Sequence, residues 1–594
     1  MNKPLKYSLI GIAGLLFLVI AAAAIFVLTF DANRYKPQIE RLVQEKTGRT
    51  LKLQGPLEAA VWPSLGAKVS GVTFSERGSD QQFLALDNAH ASVALMPLLR
   101  GQVVVDRIRI SGFKANIVKQ KDGKFNFSDL LEAKAEKPAA KEEKPSKKDD
   151  GGGAPVAIDL AGVDIDKSSI AYRDLSTGKE YSVSDFKLGT GRIADRADGK
   201  LQMHAAIKAP DLDIKLDLGA DYKLDLPAES VALDKLDLKV SGKEETHLKG
   251  RVALAKSKTT FDLDIDKLNL DAYLPPEQKP AASSTASTEK PAAKPAADTP
   301  VDLSALKDLN ADGKLQIGAL QVRGLKLANV KTEVKAAGGK LDAPHSANLY
   351  EGTLSGILGA QADGRIALKD TLTGVAIGPL LRDAAQQDKL EGKGNLSLDV
   401  NAAGKSVNAM KKALAGTAKV DLRDGAIKGI DIGKILSKAR NALGQQQAQA
   451  EASSDRTDFS SMTASFNIKN GVAQNDDLDV KAPLFRITGA GKIDIGNSNL
   501  DYVTKAAVVA TAKGQGGAEA DQLSGITVPV RLSGSFDNLK YDVNYGAVAT
   551  DLAKSKAGEK LREKLEERLG VGKSDDKSDQ GGSTADKLRG LFGR

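Results

Sequence analysis

The four histidines are the residues best suited to binding a metal or moving protons, and they lie far apart in the chain. No pair has the spacing of a zinc-binding helix among His90, His204, His247 and His345. The chain has no cysteine, which excludes disulfide bonds, a thiolate nucleophile and a cysteine metal site. A Gly-x-Ser-x-Gly motif is also absent from the sequence. We therefore expect no catalytic residues, no metal site and no cofactor, so that the protein is not an enzyme.

Two short segments match parts of ligand-binding motifs. Residues 308–313 match the start of a calcium loop, but the twelfth position, which should be a glutamate, is Ala319. We interpret them as a polar turn that ends at Asp312 and Gly313. Residues 572–574 match the end of a phosphate-binding loop whose first glycine is missing, which indicates a solvated helix end.

The charge pattern excludes a nucleic-acid interface. The net charge of +8 arises from 85 basic and 77 acidic residues that are interspersed along the chain, and only 4% of the residues are aromatic. Nucleic-acid binding needs a clustered basic surface, often with aromatic side chains for stacking. The apolar surface of this protein must be mainly aliphatic.

The N-terminal part of the chain contains an uncharged apolar run over residues 9–30. At about 1.5 Å per residue, this run is long enough to cross a bilayer core of about 30 Å. Lys3 and Lys6 precede it and place the N-terminus in the cytoplasm. A cleaved signal peptide is the alternative, but the apolar run is longer than a usual signal core. We expect a single-pass anchor in the inner membrane, with the rest of the chain in the periplasm.

The body of the chain has the pattern of β-strands. A helix is expected over residues 31–47 and ends at Gly48, after which the apolar residues follow a period of two. The clearest alternation predicts two adjacent half-buried strands, at residues 211–218 and 221–226. Further helices are expected at 378–385, 407–414, 432–450 and in an amphipathic tail.

Two tracts rich in Lys, Ala and Pro interrupt this pattern, and their composition predicts disordered linkers. The expected division is an anchor at 1–30, a helix and first β section at 31–131, a linker at 132–154, a middle β section at 155–274, a linker at 275–300, a C-terminal β section at 301–550 and a helical tail at 551–594.

Several sequence blocks resemble the AsmA family of Gram-negative inner-membrane proteins, and together they extend along most of the chain. The blocks are Gly55-Pro56-Leu57, Val61 to Leu65 with the only Trp, Ala94 to Leu99, Ile377 to Leu381, Leu422 to Asp431, Asp458-Phe459 with Met462-Thr463 and Phe466, Pro483 to Gly489, and Pro529 to Phe536.

The resemblance implies a mainly β fold: an elongated, twisted, groove-like antiparallel sheet, similar to repeating β-groove and chorein-like proteins. It implies support of glycerophospholipid transport toward the outer membrane and of outer-membrane assembly, with no catalytic residues or cofactor. Membrane phospholipids are then the expected partners. Eleven aliphatic positions of the alternating strands are the candidates for the groove lining: Leu212, Ile214, Leu216, Leu218, Leu224, Leu236, Leu238, Leu263, Ile265, Leu396 and Leu398.

Alternation alone does not separate a groove from the closed core of a β-sandwich, because both bury one face of each strand. The functional alternative is a structural or assembly factor for outer-membrane proteins that conducts no lipid. The tail at 551–594 is either a helix that caps the sheet or a contact to the outer membrane or an envelope protein.

Overall fold

The structure is a computed structural model that describes residues 31–60, 64–98, 100, 102–132, 158–273, 298–429, 456–483, 485–509, 526–536 and 538–554. The proposed anchor at 9–30, the expected helix at 432–450, residues 572–574 and most of the two Lys/Ala/Pro-rich tracts lie outside these ranges. The predicted tail falls within them only as far as residue 554.

The helices are short. Three of them lie where the sequence predicts a helix: Lys36–Thr47, Ile377–Ala385 and Val407–Ala413. A 3₁₀ turn at Ala32–Tyr35 leads into α1, which ends where Gly48 adopts a left-handed conformation with φ of 67°. Glycine adopts this conformation without a steric penalty, as the sequence predicts for this position. The helices are α1 Lys36–Thr47, α2 Leu95–Leu98, α3 Ser128–Glu132, α4 Ile377–Ala385, α5 Val407–Ala413 and α6 Tyr545–Lys554, with two further 3₁₀ turns at Leu270–Ala272 and Ser304–Lys307.

Across the described ranges, 28 strands belong to one large mixed sheet. In the N-terminal part they are β1 Leu51–Leu53, β2 Leu57–Ala60, β3 Ser64–Ser75, β4 Gln82–Ala94, β5 Val103–Val105, β6 Ile108–Ser111, β7 Lys114–Lys119, β8 Ile158–Leu160, β9 Val163–Asp174 and β10 Lys179–Thr190. The middle strands are β11 Asp198–Ala209, β12 Leu212–Asp225, β13 Ser230–Ser241, β14 Glu245–Ala255, β15 Lys258–Asn269, β16 Ala311–Val322, β17 Leu325–Ala337, β18 Lys340–Leu349, β19 Gly352–Gln361 and β20 Arg365–Ala376. The last are β21 Leu390–Ala403, β22 Ala415–Lys428, β23 Arg456–Lys469, β24 Val472–Lys481, β25 Phe485–Asp494, β26 Asn499–Val508, β27 Thr527–Ser535 and β28 Asn538–Val543.

The expectation of a mainly β fold is confirmed, but the sheet is mixed, whereas an antiparallel sheet was expected. Strands β5, β6 and β7 pair in parallel with β8 or β9, and β15 pairs in parallel with β16. A parallel partner requires a long connection, whereas an antiparallel partner needs only a short turn. The two long connections, between β7 and β8 and between β15 and β16, contain the two Lys/Ala/Pro-rich tracts of the sequence. Those tracts therefore lie where two successive strands run in the same direction instead of alternating.

Two local expectations are also wrong. Residues 211–218 and 221–226 do not form two adjacent strands, because β12 continues through both. Ala220 keeps the apolar alternation in phase and faces Leu201 of β11, so no turn interrupts the strand. Asp312 and Gly313 do not form a turn but lie in β16.

The physical reason for Gly313 is its contact with an aromatic ring. A Cβ atom at this position would lie 2.5 Å from the ring of Phe261 on β15. Glycine therefore makes room for Phe261 within the sheet. Asp312 pairs with Lys258, whose Nζ lies 2.9 Å from its Oδ2.

The chain divides into two compact units. The first comprises Met1–Val375, Pro379–Gln387 and Ala403–Val407, and the second comprises Ala376–Gly378, Asp388–Ala402 and Asn408–Arg594. Strands β1 to β20 lie almost wholly in the first unit, and β22 to β28 lie in the second.

Candidate functional site

A row of large aliphatic side chains crosses seven consecutive strands of the first unit. Each member lies directly opposite the next in the strand register, which places all of them on one face of the sheet. We call the face that carries this row the aliphatic face. From β11 to β17, the row consists of Met203, Leu218, Leu238, Leu248, Ile265, Ile317 and Val330.

The register brings nine of the eleven predicted groove residues onto this face. Leu236 faces Gly250, which in turn faces Leu263, so both leucines join the same surface. Ile214 and Leu216 lie opposite Ile207 and Ala205 of β11. The nine residues are Leu212, Ile214, Leu216, Leu218, Leu224, Leu236, Leu238, Leu263 and Ile265.

The other two predicted residues, Leu396 and Leu398, lie on β21 in the second unit, opposite Val420 and Ala418 of β22. Both side chains are half-buried. Whether any of the eleven residues contacts a lipid stays a prediction.

β-Bulges keep the aliphatic face continuous where the sequence period changes. On β13 the apolar positions change from odd numbers, such as Leu233, to even numbers, such as Leu236. Lys235 lies between them with φ of 48°, and the register shifts there. Leu233 and Leu236 then face Val252 and Gly250, which lie on the same side of β14. The extra residue in the bulge therefore restores the aliphatic side chains to one face.

The aliphatic face is only half covered. Of the nine predicted groove residues on this face, only Ile265 reaches the buried range, at 9% exposure, whereas the other eight remain half-buried. Neighbouring strands shield these side chains from the sides, but within the described part of the first unit no second layer buries them. A sandwich core would bury them fully.

The second unit shows the contrast, because its apolar core is closed. Leu422, Val480 and Val528 are 0%, 1% and 0% exposed. Helix α6 packs on β27, and its Val548 is also fully buried. The same alternating pattern therefore produces an open face in the first unit and a closed core in the second.

Charged residues follow the opposite face of the first unit in cross-strand pairs. Lys235 Nζ lies 2.8 Å from Asp221 Oδ2, and Lys239 Nζ lies 2.9 Å from Glu245 Oε2. The hydrogen bond from Lys235 holds the pKa of Asp221 below its usual range. Exposed pairs of this kind stabilise a sheet only slightly, but they keep this face solvated and fix the strand register.

Three polar residues interrupt the aliphatic face at its β17 to β20 side. Thr332, His345 and Asp370 lie in one register row, in which Gly356 separates His345 from Asp370. His345 Nε2 lies 3.0 Å from Asp370 Oδ1. Burial raises the pKa of the Asp370 carboxyl. The sequence gives no sign of this pair, because the two residues are distant in the chain.

A buried arginine connects several N-terminal elements of the first unit. Arg49 is fully buried, and its guanidinium lies 2.5 Å from Asp129 and 3.7 Å from Glu76. The rings of Phe74 and Phe83 lie 5.7 and 5.1 Å from it. Hydrogen bonding to Arg49 lowers the pKa of Asp129. This cluster attaches α3 to β3, which is a structural role that a single arginine in the sequence does not reveal.

The described residues offer little for bond-making chemistry. No group of three or more His, Asp and Glu side chains among them is arranged to hold a metal ion. His204 and His247 lie on the charged face beside carboxylates, with His204 Nδ1 2.6 Å from Asp217 and His247 Nε2 3.2 Å from Glu245. The prominent feature is therefore an apolar surface.

A large mixed sheet with few helices defines a mainly β protein, and in its first unit one face of the sheet is aliphatic and the other is charged. The AsmA family model matches residues 1–212 and 202–478. The chain belongs to the AsmA family. Protein AsmA of Escherichia coli (strain K12) is 22% identical to it, over 89% of this chain and 92% of the relative. No solved structure matches the chain.

Membership of this family supports an envelope-related role. Within the residues that the structure describes, no helix has both the length and the apolar character needed to cross a membrane. The apolar run at 9–30 lies outside those residues.

Proposed function

We propose that residues 9–30 anchor the protein in the inner membrane, and that its periplasmic body carries glycerophospholipids toward the outer membrane along the aliphatic face. The mechanism is passive and non-enzymatic. Acyl tails lie against the leucine, isoleucine and valine side chains, while headgroups stay in water at the open side. No covalent bond is made or broken.

The observation that carries the proposal is the aliphatic row on seven consecutive strands, in which five side chains are half-buried and only Ile265 and Ile317 are buried. An apolar surface of this extent, left open in a soluble environment, is typical of a site for a ligand or a partner. Moving a lipid tail through water costs about 0.8 kcal/mol for each exposed CH₂ group. A surface that offers aliphatic contacts along the path removes most of this cost for each tail.

A pair of neighbouring positions tests the proposal. A photo-reactive amino acid at Leu216 lies on the aliphatic face, whereas the same residue at Asp217 lies on the charged face, one position further along β12. After irradiation in cells, mass spectrometry of the purified protein reports bound lipid. We expect phospholipid adducts from position 216 and few or none from position 217.

The outcome separates the two candidate functions. If neither position captures lipid, or both capture it equally, lipid carriage along this face is wrong. Capture of an outer-membrane protein at position 216, without lipid, would instead favour the assembly factor. Extraction of lipid from the purified full chain provides an independent measurement of the same occupancy.

A further inference from the structure

Helix α1 carries an apolar stripe that the rest of the described structure leaves exposed. Ile39 and Leu42 are 36% and 56% exposed, and Tyr35 directly before the helix is 48% exposed. At 100° per residue these three positions lie on one side of the helix. We call them the α1 stripe. A helix in water usually turns such residues toward the protein core.

The α1 stripe is not the side of the helix that contacts the sheet, and the side that does so is largely polar. Glu40 Oε1 accepts a hydrogen bond of 2.8 Å from the backbone N–H of Leu53 on β1. Lys36 Nζ donates one of 2.5 Å to the carbonyl oxygen of Gly55. At 100° per residue, Lys36 and Glu40 lie about 90° and about 130° from the centre of the stripe. The helix is therefore attached to the sheet by hydrogen bonds, and its most apolar side is not used for packing there.

The position of the stripe in the chain identifies what covers it. Tyr35 follows the uncharged apolar run at 9–30 after only four intervening residues. Five extended peptide units span at most about 18 Å, so the stripe stays close to the point where that run ends. Lys46 continues the stripe, and the side chain of Arg34, next to Tyr35 in the chain, is 81% exposed and lies 3.7 Å from Asp31. Cations beside an apolar stripe match the phosphates and acyl tails of an anionic membrane surface.

We propose that α1 lies on the membrane surface with Ile39 and Leu42 among the lipid acyl chains, and so holds the first strands of the sheet against the bilayer. This proposal rests on the anchor in the proposed function. It adds a second membrane contact, at the end of the sheet where β1 to β4 begin the first unit.

The absence of cysteine from the chain makes a direct test possible. Full-length variants with a single cysteine, Leu42→Cys and Gln44→Cys, are labelled with an environment-sensitive fluorophore and reconstituted into vesicles of phosphatidylethanolamine and phosphatidylglycerol. Gln44 is exposed and lies on the opposite side of α1 from Tyr35. We expect lipids with a shallow spin label to quench the probe at position 42 at least threefold more than the probe at position 44.

Equal quenching at both positions would overturn the proposal. So would a shielded but unquenched probe at position 42, because that result means that protein, such as a second copy of the chain, covers the stripe. Resistance of the same samples to alkaline carbonate reports the anchor separately. Protein that resists extraction but shows no difference in quenching has the anchor without the α1 contact, whereas extracted protein shows that the anchor itself is wrong.

Discussion

His345 Nε2 lies 3.0 Å from Asp370 Oδ1, and the contact passes over Gly356 on the strand between them. Nδ1 of the same ring lies 3.0 Å from the carbonyl oxygen of Ala343. Because a carbonyl can only accept, Nδ1 carries a hydrogen, and a neutral ring then has an acceptor at Nε2. Asp370 therefore lies next to His345 within the aliphatic face, where burial raises the pKa of its carboxyl.

The first prediction concerns the pH dependence of this pair. Because burial raises the pKa of Asp370, the folded protein holds its proton more tightly than the unfolded chain. Stability should then fall as the pH rises above about 3.9, the ordinary value for Asp. Asp370→Asn should remove this fall, whereas Asp342→Asn, at an exposed position on β18, should keep it. Hydrogen exchange of β18 to β20 at several pH values measures the difference, and equal profiles would contradict the assignment.

A second prediction uses two glycines of the same strand. At Gly356 a Cβ atom would lie 1.9 Å from Asp370 Oδ1 and 2.4 Å from the carbonyl oxygen of Lys369, whereas at Gly359 the nearest atoms are 3.7 Å away or more. Gly356→Ala should destabilise the first unit by about 1–3 kcal/mol through overpacking. Gly359→Ala should have little effect. Thermal unfolding and hydrogen exchange of β19 compare the stability of the two variants. An unchanged stability of Gly356→Ala would show that His345 and Asp370 move apart at little energetic cost.

The third prediction concerns the buried Arg49. Asp129→Asn leaves the guanidinium without its main counter-charge, which should destabilise the region by about 3 kcal/mol. The matched control is Glu58→Gln, whose exposed pair with Lys68 should contribute less than about 1 kcal/mol. Since the pKa of Asp129 is lowered, its contribution should be complete at neutral pH and be lost as the pH falls below about 3.9. Hydrogen exchange of β3 and β4 measures both effects.

The fourth prediction separates the open face from the closed core. Leu422→Ala in the second unit removes a fully buried side chain and should cost about 2–5 kcal/mol. Leu216→Ala removes a half-buried one and should cost clearly less. Urea unfolding followed by hydrogen exchange in each unit gives the two values. Equal costs would mean that Leu216 belongs to an ordinary core.

Leu216→Asp extends this comparison to function. The charge should stop lipid capture on the aliphatic face while the sheet remains folded, because water can reach this position. Lipid extracted per molecule of protein provides the measurement. Asp217→Asn on the opposite face should leave lipid content unchanged, and a parallel loss in both variants would contradict a role for the aliphatic face.

Local sequence patterns predict that the chain forms strands and that α1 ends at Gly48, because a period of two and a glycine depend only on neighbouring residues. They do not predict that β12 is continuous from Leu212 to Asp225 or that β16 begins at Ala311. The face on which a side chain lies is harder to predict. Leu233 and Leu236 share a face only because Lys235 adopts a bulge conformation, which the sequence does not signal. The parallel pairing of β15 with β16 cannot be predicted from local patterns, because it depends on where in the sheet the chain re-enters after a long connection.

The polar contacts were beyond sequence reasoning for the same reason. Arg49 and Asp129 are 80 residues apart, and the burial of Arg49 depends on two phenylalanine rings from different strands. His345 and Asp370 meet only because Gly356 has no side chain. The strands that carry the candidate groove residues were easier to predict, since the alternation of each strand is visible by itself.

The antiparallel order from β10 to β15 has an evolutionary consequence. Each of these strands pairs with its predecessor and its successor in the chain. Duplication of one hairpin in the gene would add two strands between existing neighbours, and no other pairing would need to be rebuilt. Selection could therefore adjust the number of strands in small steps, so that relatives of different size can keep the same pattern of alternating residues.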